Sequence, residues 1–129
     1  MRIEIDPTAP TTPSEQIADQ VRFAVASGRL RPEDRLPSVR GLAASARINP
    51  NTVSRSYRAL EREGTVRSRP GAGVFVAPSA PARCAAIRDR LLRERLDRVV
   101  SDALAAGLGP DEIEALVADA LASAATEAA

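Results

Sequence analysis

Apolar positions recur at helical intervals in five stretches of this chain, and alternate or cluster in only three short ones. In "SEQIADQVRFAVASG", Ile17, Val21, Ala24 and Val25 share one helical face; Ser14 reads as the N-cap and Gly28 as the stop. After the "RLRPEDRLP" loop, Ser38 caps a second helix that turns Val39, Leu42, Ala43 and Ala46 inward. "RINPN" is a turn. The third helix is capped by Asn49 or Asn51, shows Val53, Tyr57 and Leu60 at spacings of four and three, and ends at Gly64. Near the N-terminus, "RIEI" alternates and predicts a short strand, followed by the extended "DPTAPTTP". "TVRSR" and "GVFVA" flank "PGA" and predict a hairpin.

Residues 78–82, "PSAPA", read as a linker. Beyond them, Ile87, Leu91, Val99, Val100 and Leu104 mark a helix from about Arg83 to Ala106. "GLGPDE" interrupts the pattern, and Pro110 with Asp111, Glu112 and Glu114 suits the opening turn of a last helix. That helix carries Ile113, Leu116, Val117, Ala120, Leu121 and Ala124 as one stripe. The expected architecture is therefore mainly α with a small β-hairpin: a winged helix-turn-helix over 1–77, the 78–82 linker, and a two-helix hairpin over 83–129. Two such helices cannot cover both apolar faces with each other alone. A second copy pairing through Ile87, Leu91, Val99, Val100, Leu104, Ile113, Leu116, Val117 and Leu121 completes a four-helix arrangement. That would make 83–129 the dimerisation domain; the alternative is a tail that folds back on its own winged helix.

Composition narrows the picture. The chain has 129 residues, 44% hydrophobic but only 2% aromatic, so the core must come from Ala, Val, Leu and Ile. No apolar run approaches the ~20 residues of a membrane span, and "MRIEIDPTAP" lacks the pattern of a secretory signal. A cytoplasmic protein is expected. The single cysteine, Cys84, allows neither an internal disulfide nor a cysteine-based zinc site. There is no histidine, the commonest general base and metal ligand. Carboxylates such as Asp89 and Glu94 stand five apart, off a common helical face. Neither an enzyme nor a cofactor is expected.

Charge adds what hydropathy leaves out. The net charge is only +1, yet residues 35–73 hold eight arginines against Glu61 and Glu63, a net of +6. A short turn makes helices two and three cross around a shared apolar patch, which leaves the opposite face of helix three to solvent. That face and its start hold Asn49, Asn51, Thr52, Ser54, Arg55 and Arg58. Arginine matches guanine edges, asparagine matches adenine, and hydroxyls serve bases or phosphate. Ser38 and Arg40 open helix two, where free backbone N–H groups seat a phosphate. Arg67, Arg69 and Gly71 on the hairpin are within reach of a neighbouring groove. Tyr57 belongs to the core, with its hydroxyl directed to the surface and a backbone phosphate. The partner these groups fit is double-stranded DNA; the alternative is a winged helix that binds protein through the same surfaces.

The run "GRLRPEDRLPSVRGLAASARINPNTVSRSYRALEREGTVRSRPGAGVFV" resembles the DNA-binding domain of the GntR family of transcription regulators. The resemblance rests on Gly28 and Leu30, on L-P-S-x-R at 36–40, on Leu42–Ala43 and on N-T-V at 51–53. It continues through Y-x-x-L-E at 57–61, Gly64, and Arg69 with Gly71 to Val76. It implies operator contacts by Arg40, by Asn49, Asn51, Thr52 and Ser54, and by Gly71 in the minor groove. Two positions depart from the family pattern. Pro50 cannot donate a hydrogen bond, and Glu33 stands where the family has glycine, which predicts a differently shaped loop. The short helical tail is similar to the YtrA-type subgroup, whose tail dimerises. The resemblance thus implies a homodimeric repressor on an inverted-repeat operator. So short a tail leaves little room for an enclosed pocket of about 300 Å³, so release from DNA would use a small-molecule effector at the dimer interface or no ligand at all.

Overall fold

A computed structural model describes residues 1–128. Five helices and one hairpin follow in order: α1 (Pro13–Ala26), α2 (Val39–Ala46), α3 (Pro50–Arg62), β1 (Val66–Arg69), β2 (Gly73–Val76), α4 (Ala80–Ala105) and α5 (Pro110–Ala128). The chain divides into two compact units, 1–89 and from Arg90 onward.

In the first unit, α3 packs against α1, α2 and β1. Ile17, Val21, Leu42, Val53, Leu60, Val66 and Val76 are essentially sealed from solvent. The predicted aliphatic stripes are therefore the core. β1 and β2 pair antiparallel, Val66 opposite Val76 and Arg69 opposite Gly73. Arg35 forms a bridge with Phe75. Around it, Glu33 N–H donates to Val76 O, Val76 N–H to Asp34 O, and Leu36 N–H to Val74 O. The segment read as a plain loop thus lines the free edge of β2 and protects it.

Three local expectations are corrected. α1 is capped by Thr12, not Ser14: the Thr12 side chain accepts from Glu15 N–H, Glu15 reaches back to Thr12 N–H, and Pro13 fills the first helical position. That reciprocal box satisfies two otherwise free donors, which Ser14 could not do from inside the helix. "RIEI" is not a strand. Its backbone is satisfied by two glutamines of α1: Gln20 bonds the N–H and C=O of Glu4, and Gln16 those of Asp6. Side-chain amides one helical turn apart thus stand in for a neighbouring strand, while Ile3 drops into the core. Residues 80–82 are not a linker but the first turn of α4, which starts three residues before Arg83. Pro81 is tolerated there because a first-turn N–H has no helical partner to lose. Ala80 and Cys84 are buried, which ties this turn to the core of the first unit.

One core group is unsatisfied. Ser56 is 1% exposed, and its hydroxyl has no hydrogen-bond partner among the described residues. Ser56→Ala removes a desolvated polar atom and improves helix propensity, so it is expected to stabilise the protein by about 1 kcal/mol. Thermal denaturation checks this; a lower melting temperature would mean that the hydroxyl is bonded after all.

In the second unit the remaining turns of α4 lead through Gly107, at φ +95°, into α5. α5 buries none of its described residues. Leu92, Leu96, Val99, Leu104, Leu116, Val117 and Leu121 are all exposed. Of the residues expected to dimerise, Ile87, Leu91, Val100 and Ile113 are half-buried. Leu92 and Leu96 fall outside the predicted set, although their 4-3 spacing with Val99 is that of a coiled-coil heptad.

Candidate nucleic-acid interface

The start of α2 is built by its cap. Ser38 Oγ accepts from Gly41 N–H at 3.0 Å. A side chain at Gly41 would put its Cβ 2.9 Å from that oxygen, so glycine there makes room for the cap. Arg40, on the first turn, is exposed and has no hydrogen bond or ion pair among the described residues. Tyr57 fixes the approach to this turn: its hydroxyl donates to Pro37 O at 2.8 Å.

Tyr57 itself is 5% exposed, and burial raises its pKa well above the ordinary phenol value. Its ring is core, as expected, and in this structure its hydroxyl donates to the 36–38 turn rather than standing free for a phosphate. That bond ties α3 to the turn that carries Ser38 and Arg40.

Between the helices, Arg47 adopts the left-handed conformation at φ +56° and reverses the chain. Asn49 caps α3, its Oδ1 accepting from Asn51 N–H at 2.8 Å. Its amide N–H groups remain available, but its acceptor is occupied. Pro50 takes the first helical position, where a donor would have had no partner within the helix. Beyond it Asn51, Arg55 and Arg58 are exposed, and Thr52 and Ser54 half-buried, while Val53, Ser56, Tyr57 and Leu60 are buried. The polar face expected of helix three is the solvent face.

The hairpin stands beside that face. Ser68 Oγ donates to Glu61 on α3, linking β1 to the helix. An open cleft of ≈ 270 Å³ lies between them, lined by Val39, Ser54, Arg58 and Ser68 among others. Gly71 sits at the tip at φ +73° with open space around it. Arg67 and Arg69 are exposed, yet Arg69 is engaged: it pairs with Glu33 and its guanidinium lies 4.4 Å from the centre of the Phe75 ring. Glu33 keeps the backbone that glycine would adopt without strain, at φ +73°.

Two arginines escaped the sequence reading. Arg35 lies in a segment whose sequence predicts a loop, and only its long-range bridge to Phe75 brings it onto the hairpin. Arg47 is an exposed cation in the inter-helix turn. Arg55, Arg58, Arg40 and Arg47 leave this side of the molecule strongly basic. The described residues hold no cluster suited to a metal ion, and no described helix is long and apolar enough to cross a membrane.

Comparison with known proteins agrees with this geometry. The model of the gntR family of bacterial regulatory proteins matches residues 13–76. The HTH-type transcriptional repressor YtrA of Bacillus subtilis is 38% identical over 106 residues, covering 82% of each chain. Among solved structures, a transcriptional regulator from Oenococcus oeni is 31% identical, covering 91% of this chain and 99% of that one, with TM-score 0.63. YtrA from Sulfolobus acidocaldarius, a GntR-family transcription factor, is 32% identical over 80% of this chain and 97% of that one, with TM-score 0.57. Relatives that span most of this chain, not the winged helix alone, thus share its sequence and fold, and the chain belongs to the GntR family of DNA-binding transcription regulators, in its YtrA-type branch.

Proposed function

We propose that this regulator is a cytoplasmic homodimeric repressor that occludes a promoter by binding an inverted-repeat operator. The observation that carries the reading is the pairing of two unsatisfied surfaces. One is the basic, hydrogen-bonding face of α3 with the start of α2; the other is the row of exposed leucines and valines on α4 and α5. The first suits a major groove. The second suits a copy of itself, and a two-fold dimer presents two recognition helices to two half-sites. The sign of regulation follows the B. subtilis relative, a transcriptional repressor.

Within this reading Arg40 and Ser38 hold phosphate at the α2 start. Asn51, Thr52, Ser54 and Arg55 reach base edges, with Asn49 offering its amide donors. Arg58 and Arg67 contact the backbone, and Gly71 enters the minor groove. The protein-interaction alternative leaves the net +6 of residues 35–73 without a purpose.

The test begins with footprinting on the DNA upstream of the protein's own gene, where an inverted repeat is expected to be protected. Arg40→Ala should then weaken that site at least about tenfold, as a lost charged phosphate contact and its neighbours imply. The side chain is exposed and unpaired, so melting temperature and dimer mass should not move. Equal operator affinity in variant and parent would remove Arg40 from the interface.

A further inference from the structure

The outer face of the wing gathers three arginines around one aromatic ring. Arg67 and Arg35 stand directly opposite Phe75 on its two sides, and Arg69 lies two residues along β1 from Arg67. Directly opposed residues share a face, as do alternate residues of one strand. Arg35, Arg67 and Arg69 therefore surround Phe75 on the side away from Val66, Val74 and Val76. The arrangement depends on Gly73: a Cβ there would lie 2.6 Å from Arg35 Nε, so the missing side chain lets this guanidinium cross the wing. One carboxylate, Glu33, is already seated on this face, paired with Arg69. It is held by a residue at φ +73°, a conformation that costs a non-glycine residue about 1 kcal/mol.

We infer that Glu33 is an internal stand-in for phosphate: in the free protein it occupies Arg69, and on binding duplex DNA Arg69 exchanges the carboxylate for a backbone phosphate. This rests on the DNA-binding reading above and adds a residue that sets affinity. The exchange gives up an ion pair and leaves Glu33 beside a polyanion, so the wing contributes less to general DNA affinity than its arginines would alone. The occupant is duplex phosphate because the face carries three guanidinium groups against one acid and lies on the same hairpin as the tip.

The experiment is fluorescence anisotropy of the full chain with a random-sequence 30-base-pair duplex, titrated across a range of KCl. Four proteins are compared: the parent, Glu33→Gln, Arg69→Ala and the double variant. Glu33→Gln keeps the side chain's shape on an exposed loop. It is expected to bind about threefold tighter, the scale of an exposed ion pair, and to steepen the dependence of log affinity on log salt by about one unit. In the Arg69→Ala background the same substitution should give a clearly smaller change in both quantities, because only the repulsion between Glu33 and the polyanion is then relieved. An unchanged affinity in Glu33→Gln overturns the inference. So does an equal gain with Arg69 removed, because simple loss of negative charge would then explain it. A parent that binds no duplex at low salt overturns the DNA-binding reading along with it, a result distinct from the other two.

Discussion

Replacing Leu96 and Leu121 together with glutamate is expected to yield a monomer that binds the operator at least about 100-fold more weakly, the avidity lost when two linked half-site contacts become one. The two leucines are 54% and 67% exposed in a single chain. For a lone protomer the change therefore costs little, because each side chain already faces water. It is costly only where a second chain covers them, since two glutamates would then be buried without partners. This asymmetry makes the pair diagnostic. The first unit has its own core, from Ile3 to Cys84, so its melting transition should persist in the variant. Light scattering after gel filtration reads the mass, and anisotropy on the footprinted site reads affinity. A parent that is monomeric at tens of micromolar, or a variant that stays dimeric, would show that these leucines do not form the contact.

How much of this could be read from sequence depended on the range of the interaction. The three helices of the first unit and the hairpin announce themselves locally: Ser38 and Asn49 cap, Gly64 and Gly71 take positive φ, and Val53, Tyr57 and Leu60 repeat at helical spacing. Even the misplaced start of α1 was locally visible, since Thr12 and Glu15 form the S/T-x-x-E box one turn ahead of the apolar face. The features that were not legible join distant residues. Gln16 and Gln20 bond a segment ten to sixteen residues upstream. Glu33 meets Arg69 thirty-six residues away. Tyr57 spends its hydroxyl on Pro37. Hydropathy encodes which face is buried but not which polar groups find each other across the fold. The interface was therefore legible as a set of exposed residue types, while the distinction between a contacting and a supporting residue was not.

The second large effect is expected at the C-terminal end of α3, where Arg22 bridges two acids. Arg22 donates to Glu63 through Nε at 3.0 Å and Nη2 at 2.6 Å, and to Asp19 at 3.1 Å. Glu63 also accepts from Thr65 Oγ1 at 2.6 Å, and Arg83 donates to Gly64 O at 2.7 Å beside it. The Arg22 and Glu63 side chains are only 18% and 23% exposed, so solvent screens this bidentate pair little. Burial alone would raise the Glu63 pKa. The hydrogen bonds from Arg22 and Thr65, with the charges of Arg22 and Arg83, outweigh burial and hold it below its ordinary value of 4.5. A lowered folded-state pKa means that the unfolded chain binds the proton first as pH falls. The carboxylate's stabilisation is therefore complete above the unfolded value and is lost as pH drops through the folded one. Glu63→Gln should cost about 2 kcal/mol at pH 7, the range of a charged hydrogen bond left half-made. At a fixed protein concentration that is a melting temperature lower by roughly 10 °C. The gap between parent and variant should stay constant down to about pH 5 and close below the unfolded value, because the protonated parent no longer holds the charge that the glutamine lacks. A gap of the same size at pH 3.5 and pH 7 would show that the ionised carboxylate is not what ties α3 to α1.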